Sequence, residues 1–368
     1  MIATQAEREP WFRIERRLQV DPRRSALFRI AGLVVALAGV AVALQLTGRS
    51  SVFLTGEVVR STFGNRFGFE DTLVLATPIL IDAIAVAIPL RMRLWNIGVE
   101  GQFYMGAWAA AGVGIYVHAP GAVLLVLMAI AGILAGAAWI LLPAIARAFW
   151  NVNEIITTLL LNFVAVTWVE WFSIDLWRDR AAEVVQATPP VAARIPLVPG
   201  SVILHVGFLV PVVLATVFFF VFRSSRWGYE VDMVGGNPRA AEFAGIDVRR
   251  RILTVMLLSG GIAGLSGMVH LAGATGRLQG TISNAYGLSG FIVAALAAAS
   301  FIGIMVGGLF IALLLHSGIL LQSEGLSIYI VLAIYGTVLI GISIGEQAAG
   351  YRVVFGRRGR ATSDRAPP

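Results

Sequence analysis

The run at residues 30–44, IAGLVVALAGVAVAL, contains neither a charged nor a polar side chain. A helix that crosses a membrane needs about 20 apolar residues to cover a hydrocarbon layer of about 30 Å. A closed β-barrel also satisfies its backbone groups in lipid, but it alternates apolar and polar residues in segments of about ten. Residues 30–44 do not alternate, so we predict a helix and place a first transmembrane span at 27–46.

The rest of the chain has the same character. Of its 368 residues, 58% are hydrophobic and 13% charged, and the mean hydropathy of +0.82 lies outside the range of soluble domains. Nine further apolar segments lie at 72–90, 96–117, 121–142, 155–176, 204–222, 252–272, 284–300, 303–320 and 326–345. We therefore predict an all-α integral membrane protein of about ten transmembrane helices, although no charge marks the turn within 284–320.

The distribution of arginine predicts the orientation of these spans. All 28 basic side chains other than histidine are arginines. If both termini are cytoplasmic, 21 of these arginines lie in cytoplasmic segments and seven in external ones, as expected for short loops. We therefore place the protein in the lipid of a bacterial-type inner membrane. The net charge of +7 then reflects the orientation of the chain in this membrane and not binding to nucleic acid.

This orientation divides the chain into a cytoplasmic segment at 1–26, a transmembrane domain at 27–345 and a cytoplasmic tail at 346–368. In the first segment Trp11, Phe12, Ile14 and Leu18 fall on roughly one side of a helix, which favours a helix on the membrane surface. A disordered basic tail is the alternative. We expect disorder after Tyr351. Spans two to five and seven to ten, at 72–176 and 252–345, cross in opposite directions, as in an inverted repeat.

Several kinds of chemistry are excluded by what the sequence lacks. Without lysine the chain has no G-x-x-x-x-G-K-[ST] phosphate loop, so any ATPase has to be a separate subunit. Without cysteine it has no thiolate metal site or thiol nucleophile. The four histidines, His118, His205, His270 and His316, are scattered over separate segments and predict no metal site.

A helix within the inside loop at 223–251 is the clearest local signal. Residues 235–246 read GGNPRAAEFAGI. Asn237 can cap the helix, Pro238 suits its first position and Gly245 can take the left-handed conformation that stops it. The small residues and the aromatic ring of this segment could fit a groove on another protein, whereas an ordinary loop helix is the alternative. The residues concerned are Gly236, Asn237, Pro238, Ala240, Ala241, Phe243, Ala244, Gly245 and Ile246.

Two groups of polar residues lie at the start of predicted spans. Asn96, Glu100 and Gln102 follow the basic turn after Leu90. Glu154, Thr158 and Asn162 recur every fourth residue and therefore share one face of a helix. Polar side chains inside a membrane usually face other helices or a wet cavity. We therefore treat all six as candidates for lining a solute pathway, with Asn162 first, and structural roles are the alternative.

Three segments together resemble a known family. They are LWNIGVEGQ at 94–102, NEIITTLLLN at 153–162, and GNP at 236–238 with AGI at 244–246. They resemble the permeases of ABC importers in the branched-chain amino acid and ribose superfamily, and most of all its nucleoside and simple-sugar branch.

The resemblance implies a complex of several subunits. Two permeases, identical or different, would form the pathway, cytoplasmic ABC ATPases would bind ATP and Mg, and an external lipoprotein would deliver the solute. The helix from Asn237 to Ala244 would be the coupling helix, and this chain would bind no cofactor itself.

We therefore expect a transport subunit without an active site of its own, which carries a small polar solute, a nucleoside before a simple sugar. The alternative is an ion-coupled secondary transporter. It would need coupling charges within the spans, for which Asp82, Glu100, Glu154 and Glu170 are the candidates. A membrane enzyme should show clustered histidines or carboxylates, and the sequence shows none.

Overall fold

The structure is a computed structural model that describes residues 12–17, 21–46, 48–181, 186–297 and 299–355. Helices account for nearly all of its regular structure, which confirms the all-α membrane class. The chain divides into two compact units. One comprises residues 1–57 and 321–368, and the other comprises residues 58–320.

The described residues contain thirteen α-helices and two short strands. The strands are β1 (Phe12–Arg16) and β2 (Tyr351–Phe355). The helices are α1 (Pro22–Leu46), α2 (Ser51–Phe63), α3 (Arg66–Leu90), α4 (Val99–Tyr116), α5 (Gly121–Trp150), α6 (Glu154–Trp171), α7 (Leu209–Ser224), α8 (Arg226–Gly236), α9 (Pro238–Phe243), α10 (Val248–His270), α11 (Tyr286–Leu296), α12 (Phe301–Ser323) and α13 (Ile328–Ala349). One π-helical turn extends α6 over Phe172–Leu176, and another extends α10 over Leu271–Thr275.

All ten predicted spans contain a helix. Eight helices in the described part of the chain are long and apolar enough to cross a membrane, and they match eight of the ten predicted segments. The turn that the sequence left open within 284–320 lies between the end of α11 at Leu296 and the start of α12 at Phe301. Helix α2, in the loop after the first span, was not predicted. The inverted repeat stays a prediction.

The remaining two segments are shorter than predicted. The segment at 96–117 becomes α4 only from Val99 onward, because residues 94–98 are not helical. The segment at 284–300 contains only the 11-residue helix α11. At 1.5 Å per residue α11 is about 16 Å long, roughly half of a hydrocarbon layer.

The first unit is built on an antiparallel pair formed by α1 and α13. Glycines allow their backbones to touch. A Cβ added at Gly32 would overlap the carbonyl of Gly341, and one added at Gly345 would overlap the carbonyl of Phe28. Such close approach of small residues is the usual way in which helices associate in lipid. Arg29 also forms an ion pair with Glu346 across the pair, at 2.5 Å.

The predicted surface helix near the N-terminus is wrong for the residues that the structure describes. Phe12–Arg16 is strand β1, and it pairs antiparallel with β2 so that Arg16 lies opposite Tyr351. The first four residues, FRIE, alternate apolar and charged side chains, which is the period of a strand. Arg352 pairs with Glu15 at 2.6 Å.

The same pairing corrects the prediction of disorder after Tyr351, because residues 351–355 form β2. Trp11, Leu18 and residues 356–368 lie outside the described residues.

In the second unit α3 and α10 occupy the core. Helix α10 packs against α3, α4 and α5, while α11 packs against α3 and α4. Glycines set the closest crossings, since a Cβ at Gly264 would overlap the carbonyl of Gly132 and one at Gly136 would overlap that of Gly260. This arrangement fixes the start of α4 in the middle of the unit.

Candidate functional site

A hydrogen-bonded polar group surrounds the turn that precedes α4. Asn96 is fully buried, and its amide exchanges hydrogen bonds with the Gln102 amide at 2.9 and 3.0 Å. Asn96 Nδ2 also donates to Ser259 Oγ of α10, at 2.9 Å, and the Ser259 hydroxyl donates to a backbone carbonyl of α3. The amide of Gly98 donates to Asn96 Oδ1 at 3.1 Å. The group therefore joins α3, α4 and α10 at one point.

Helix α6 presents its predicted polar face to the same turn. Asn162 Oδ1 accepts from the Gly101 amide at 2.8 Å, and its Nδ2 donates to the Ile97 carbonyl at 2.9 Å. Glu154 accepts from the Trp95 amide at 3.2 Å and forms an ion pair with Arg147 at 3.3 Å. The Thr158 hydroxyl donates to a carbonyl of its own helix. Backbone groups that the turn frees from helix bonding thus find partners on α6, as membrane burial requires.

Glu100 connects α4 to α11. Its Oε2 accepts hydrogen bonds from the amides of Gly287 and Leu288, at 2.7 and 3.4 Å. These amides belong to the first turn of α11, where the helix has no internal acceptor for them and where a carboxylate is favoured. The structural role that the sequence allowed for Glu100 is therefore visible in these two bonds.

The structure thus brings together all six candidate pathway residues, Asn96, Glu100, Gln102, Glu154, Thr158 and Asn162, around the start of α4. Each has at least one hydrogen bond to another protein group. Their role in lining a solute route stays a prediction. Ser259 is an equal member of the group and was missed, because a single serine within a glycine-rich helix carries no sequence signal.

We expect Asn162→Leu to destabilise the protein by about 2–4 kcal/mol, because the Gly101 amide and the Ile97 carbonyl would both lose their buried partner. Thermal unfolding of the purified protein in detergent measures this loss. Thr157→Ala on the same helix is the matched control, since the Thr157 hydroxyl donates to the carbonyls of Asn153 and Glu154 in the preceding turn. Equal melting temperatures for the two variants would contradict the role of Asn162.

The loop helix predicted at 237–244 is present as α9. Asn237 Oδ1 accepts from the Ala240 amide at 3.2 Å, Pro238 occupies the first position, and Gly245 has a φ of +80°. Ala241 is buried, whereas Phe243 is 94% exposed. A large ring so exposed at the end of a helix has no packing role within this chain.

Helix α8 ties α9 to the spans. Its Asp232 forms an ion pair with Arg91 at 3.0 Å, and its Glu230 pairs with Arg251 of α10. A Cβ added at Gly235 would overlap the carbonyl of Arg91. The guanidinium of Arg91 in turn lies over the ring of Phe222, at 4.3 Å. These contacts connect α9, through α8, to α3, α7 and α10.

The connection between α6 and α7 also reaches into the bundle. The Arg194 guanidinium donates to the carbonyls of Ala272, Gly273 and Ala274, at 2.9–3.2 Å, where α10 ends in its π-helical turn. Burial lowers the pKa of Arg194. This arginine satisfies carbonyls that the end of the helix leaves free, and its sequence context, within a proline-rich loop, gave no indication of it.

The described residues hold no group of three histidine, aspartate or glutamate side chains placed to bind an ion.

Comparison with known proteins identifies the family. A family model described as branched-chain amino acid transport system / permease component matches residues 68–343. The chain is 34% identical to the glucose ABC transporter permease of Haloferax volcanii, over 93% of this chain and 95% of that protein. It is 29% identical to the guanosine ABC transporter permease of Bacillus subtilis, over 84% and 91%.

A nucleoside ABC transporter permease of Lactococcus lactis is 25% identical over 79% of this chain and 88% of its own length. No solved structure matches. The family match covers most of the chain, and these relatives are permeases for sugars and nucleosides, as the three sequence motifs indicated. This chain belongs to the family of branched-chain amino acid transport system permease components.

Proposed function

We propose that this chain is the permease subunit of an ATP-driven importer for a small polar solute, a nucleoside first and a simple sugar second. The guanosine and nucleoside permeases among its relatives support the first class, and the glucose permease supports the second. The complex would lie in a bacterial inner membrane, with both termini of this chain cytoplasmic. It would contain a second permease subunit, identical or different, and an external lipoprotein that binds the solute.

The observation that carries the proposal is the exposed Phe243 on α9. Helix α9 is short, with the cap Asn237 before it and the left-handed Gly245 after it. An aromatic ring that is 94% exposed on such a helix is typical of a side chain that fills a pocket on a partner. In a permease of this family the fitting partner is a cytoplasmic ABC ATPase, which would bind the ATP and Mg. Gly236, Ala240, Ala244 and Ile246 would complete the contact surface.

The contacts of α8 support a mechanism for coupling. Closure of the ATPases would push α9, and α8 would transmit the push to Arg91 and Arg251 through its two ion pairs. Because Arg91 begins the turn that leads to Asn96 and α4, the movement would reorient the helices around this turn as rigid bodies. The pathway would then open alternately to the two sides of the membrane.

The test is reconstitution of the chain with its ATPase and binding protein in proteoliposomes. We expect uptake of guanosine or of glucose that depends on ATP hydrolysis. Uptake by the isolated chain that is driven by an ion gradient would overturn the proposal in favour of a secondary transporter. Among the charges which that alternative requires, Glu100 and Glu154 are already bonded within the protein.

A further inference from the structure

Helix α11 begins beside the middle of α3, part-way along the spans of the second unit. Its residue Gly290 faces the middle of α3, since an added Cβ would lie 2.8 Å from Asp82 Cβ and from the Ala83 amide nitrogen. Asp82 lies about 24 Å along α3 from Arg66 and about 12 Å from Leu90, at 1.5 Å per residue. The first turn of α11 therefore lies at membrane depth, where it bonds to Glu100.

The chain reaches this point through residues 276–285, which are not helical and which we name the re-entrant segment. Tyr104 Oη of α4 donates to the carbonyl of Gly280 at 3.0 Å. On the other side, a Cβ added at Gly280 would lie 3.1 Å from Glu170 Cγ of α6. The segment thus passes between spans with its backbone outside any helix.

One side of the re-entrant segment is open in this chain. Ile282 is buried, but Thr281, Asn284 and Ala285 are exposed. Non-helical backbone at membrane depth is tolerated where it is buried in protein or lines a water-filled cavity, and not against lipid. The exposed side of the segment is therefore not a lipid-facing surface.

The backbone at the end of the segment is strained. Ala285 has φ +59° and ψ +40°, the left-handed conformation that alanine rarely adopts. Strain of this kind persists where the surrounding structure imposes it, and it concentrates at ligand sites. Here it turns the chain into α11 and leaves Asn284 exposed beside the helix start.

The chemistry of this exposed side fits a neutral, hydroxylated solute. The first amides of α11 already bond to Glu100, so they do not attract an anion. Residues 67–90 and 99–116 contain no arginine. The re-entrant segment itself contains Arg277, whose guanidinium forms an ion pair with Asp179 at 2.7 Å. Thr281 offers a hydroxyl and Asn284 an amide, which can donate to and accept from solute hydroxyls.

A cluster of aromatic rings packs against the end of the segment, and two of its members, Tyr286 and His270, carry polar atoms. The ring of Tyr286 packs against His270 at 4.9 Å, and both rings contact Phe103. His270 is only 6% exposed, and its Nδ1 has no hydrogen-bond partner among the described residues. This buried polar atom lies next to the re-entrant segment.

We propose that the re-entrant segment lines the translocation pathway and that Thr281 and Asn284 hydrogen-bond the hydroxyl groups of the solute's sugar ring as it passes. The inference rests on the proposed transport function and adds the residues that contact the solute. Asn284 and Thr281 come from a segment that hydropathy assigned to a loop and a span, so neither was a sequence candidate.

The natural absence of cysteine makes a direct test simple. Thr281→Cys and Asn284→Cys are made separately, and each is assembled with the ATPase and binding protein in proteoliposomes. A charged, water-soluble thiol reagent is then applied. Thr216→Cys is the matched control, because Thr216 is an exposed threonine of the spanning helix α7 whose hydroxyl bonds to its own helix.

We expect both test positions to be labelled and the control to stay unlabelled. Guanosine or glucose, whichever the wild-type complex transports, should suppress labelling at Asn284→Cys. Absence of labelling at both positions would overturn the inference, and so would labelling that the transported solute leaves unchanged. Neither result depends on turnover of the variant, whereas failure of the proposed function would show as a wild-type complex without ATP-dependent uptake.

A functional variant completes the test. Asn284→Ala should slow maximal uptake by about fivefold, the equivalent of one hydrogen bond worth about 1 kcal/mol, while ATPase assembly stays normal. Thr216→Ala should transport at the wild-type rate. Unchanged uptake by Asn284→Ala would remove Asn284 from the pathway.

Discussion

Phe243→Asp is expected to weaken binding of the partner ATPase by at least about thirtyfold while leaving the permease folded. The ring is 94% exposed and makes no contribution to the core, so its replacement should not change the melting temperature. If Phe243 fills a pocket on the ATPase, its removal costs at least about 2 kcal/mol, or about thirtyfold in affinity. The buried aspartate would lose its hydration as well, which adds to the cost.

Affinity of the detergent-purified permease for the ATPase, together with solute-stimulated ATP hydrolysis, measures the effect. Glu242→Ala is the matched control, since Glu242 is the neighbouring exposed residue of the same six-residue helix. It should bind almost normally. Normal ATPase binding by Phe243→Asp would remove α9 from the coupling mechanism.

Gly264→Leu is expected to prevent folding of the second unit. Gly264 is buried in α10, and even a Cβ at this position would overlap the carbonyl oxygen of Gly132 on α5. The clash involves backbone on both sides, which no rotamer can relieve. A leucine would force α5 and α10 apart, with an expected loss of more than about 4 kcal/mol, at the upper end of single substitutions.

Size-exclusion chromatography and thermal unfolding of the detergent-solubilised protein test this expectation. Gly336→Ala in α13 is the control, because an added Cβ there meets no atom within 4 Å. It should leave the protein intact or stabilise it by about 0.5–1 kcal/mol, since alanine favours the helix. A monodisperse Gly264→Leu protein with wild-type melting temperature would show that the crossing is not tight.

The sequence predicted the helical segments well because an unbroken apolar run carries its own signal. It also predicted α9, since Asn237, Pro238 and Gly245 act through neighbouring residues of one helix. Hydropathy failed to predict the length of a helix where the chain lies within the membrane without being helical. Residues 284–300 are mostly apolar but supply only 11 helical residues, because the re-entrant segment takes up part of the membrane depth.

The polar candidates were identified correctly as a group, yet their partners could not be. Asn96 bonds to Ser259, 163 residues away, and Glu100 to Gly287, 187 residues away. Spacing along the chain reveals which residues share a helix face, and it contains no information on which distant helix lies opposite. The strand β1 was missed because a charged segment of five residues satisfies both a helical and an alternating pattern.

The pairing of α1 with α13 has a consequence for biosynthesis. The glycine contacts of Gly32 require residues that the ribosome adds about 300 positions later. At roughly 5–20 residues per second, α1 would wait on the order of 15–60 s for its partner. During this time the small-residue surface of α1 is free to meet other newly inserted helices, so a membrane chaperone that shields it would raise the yield of correctly assembled protein.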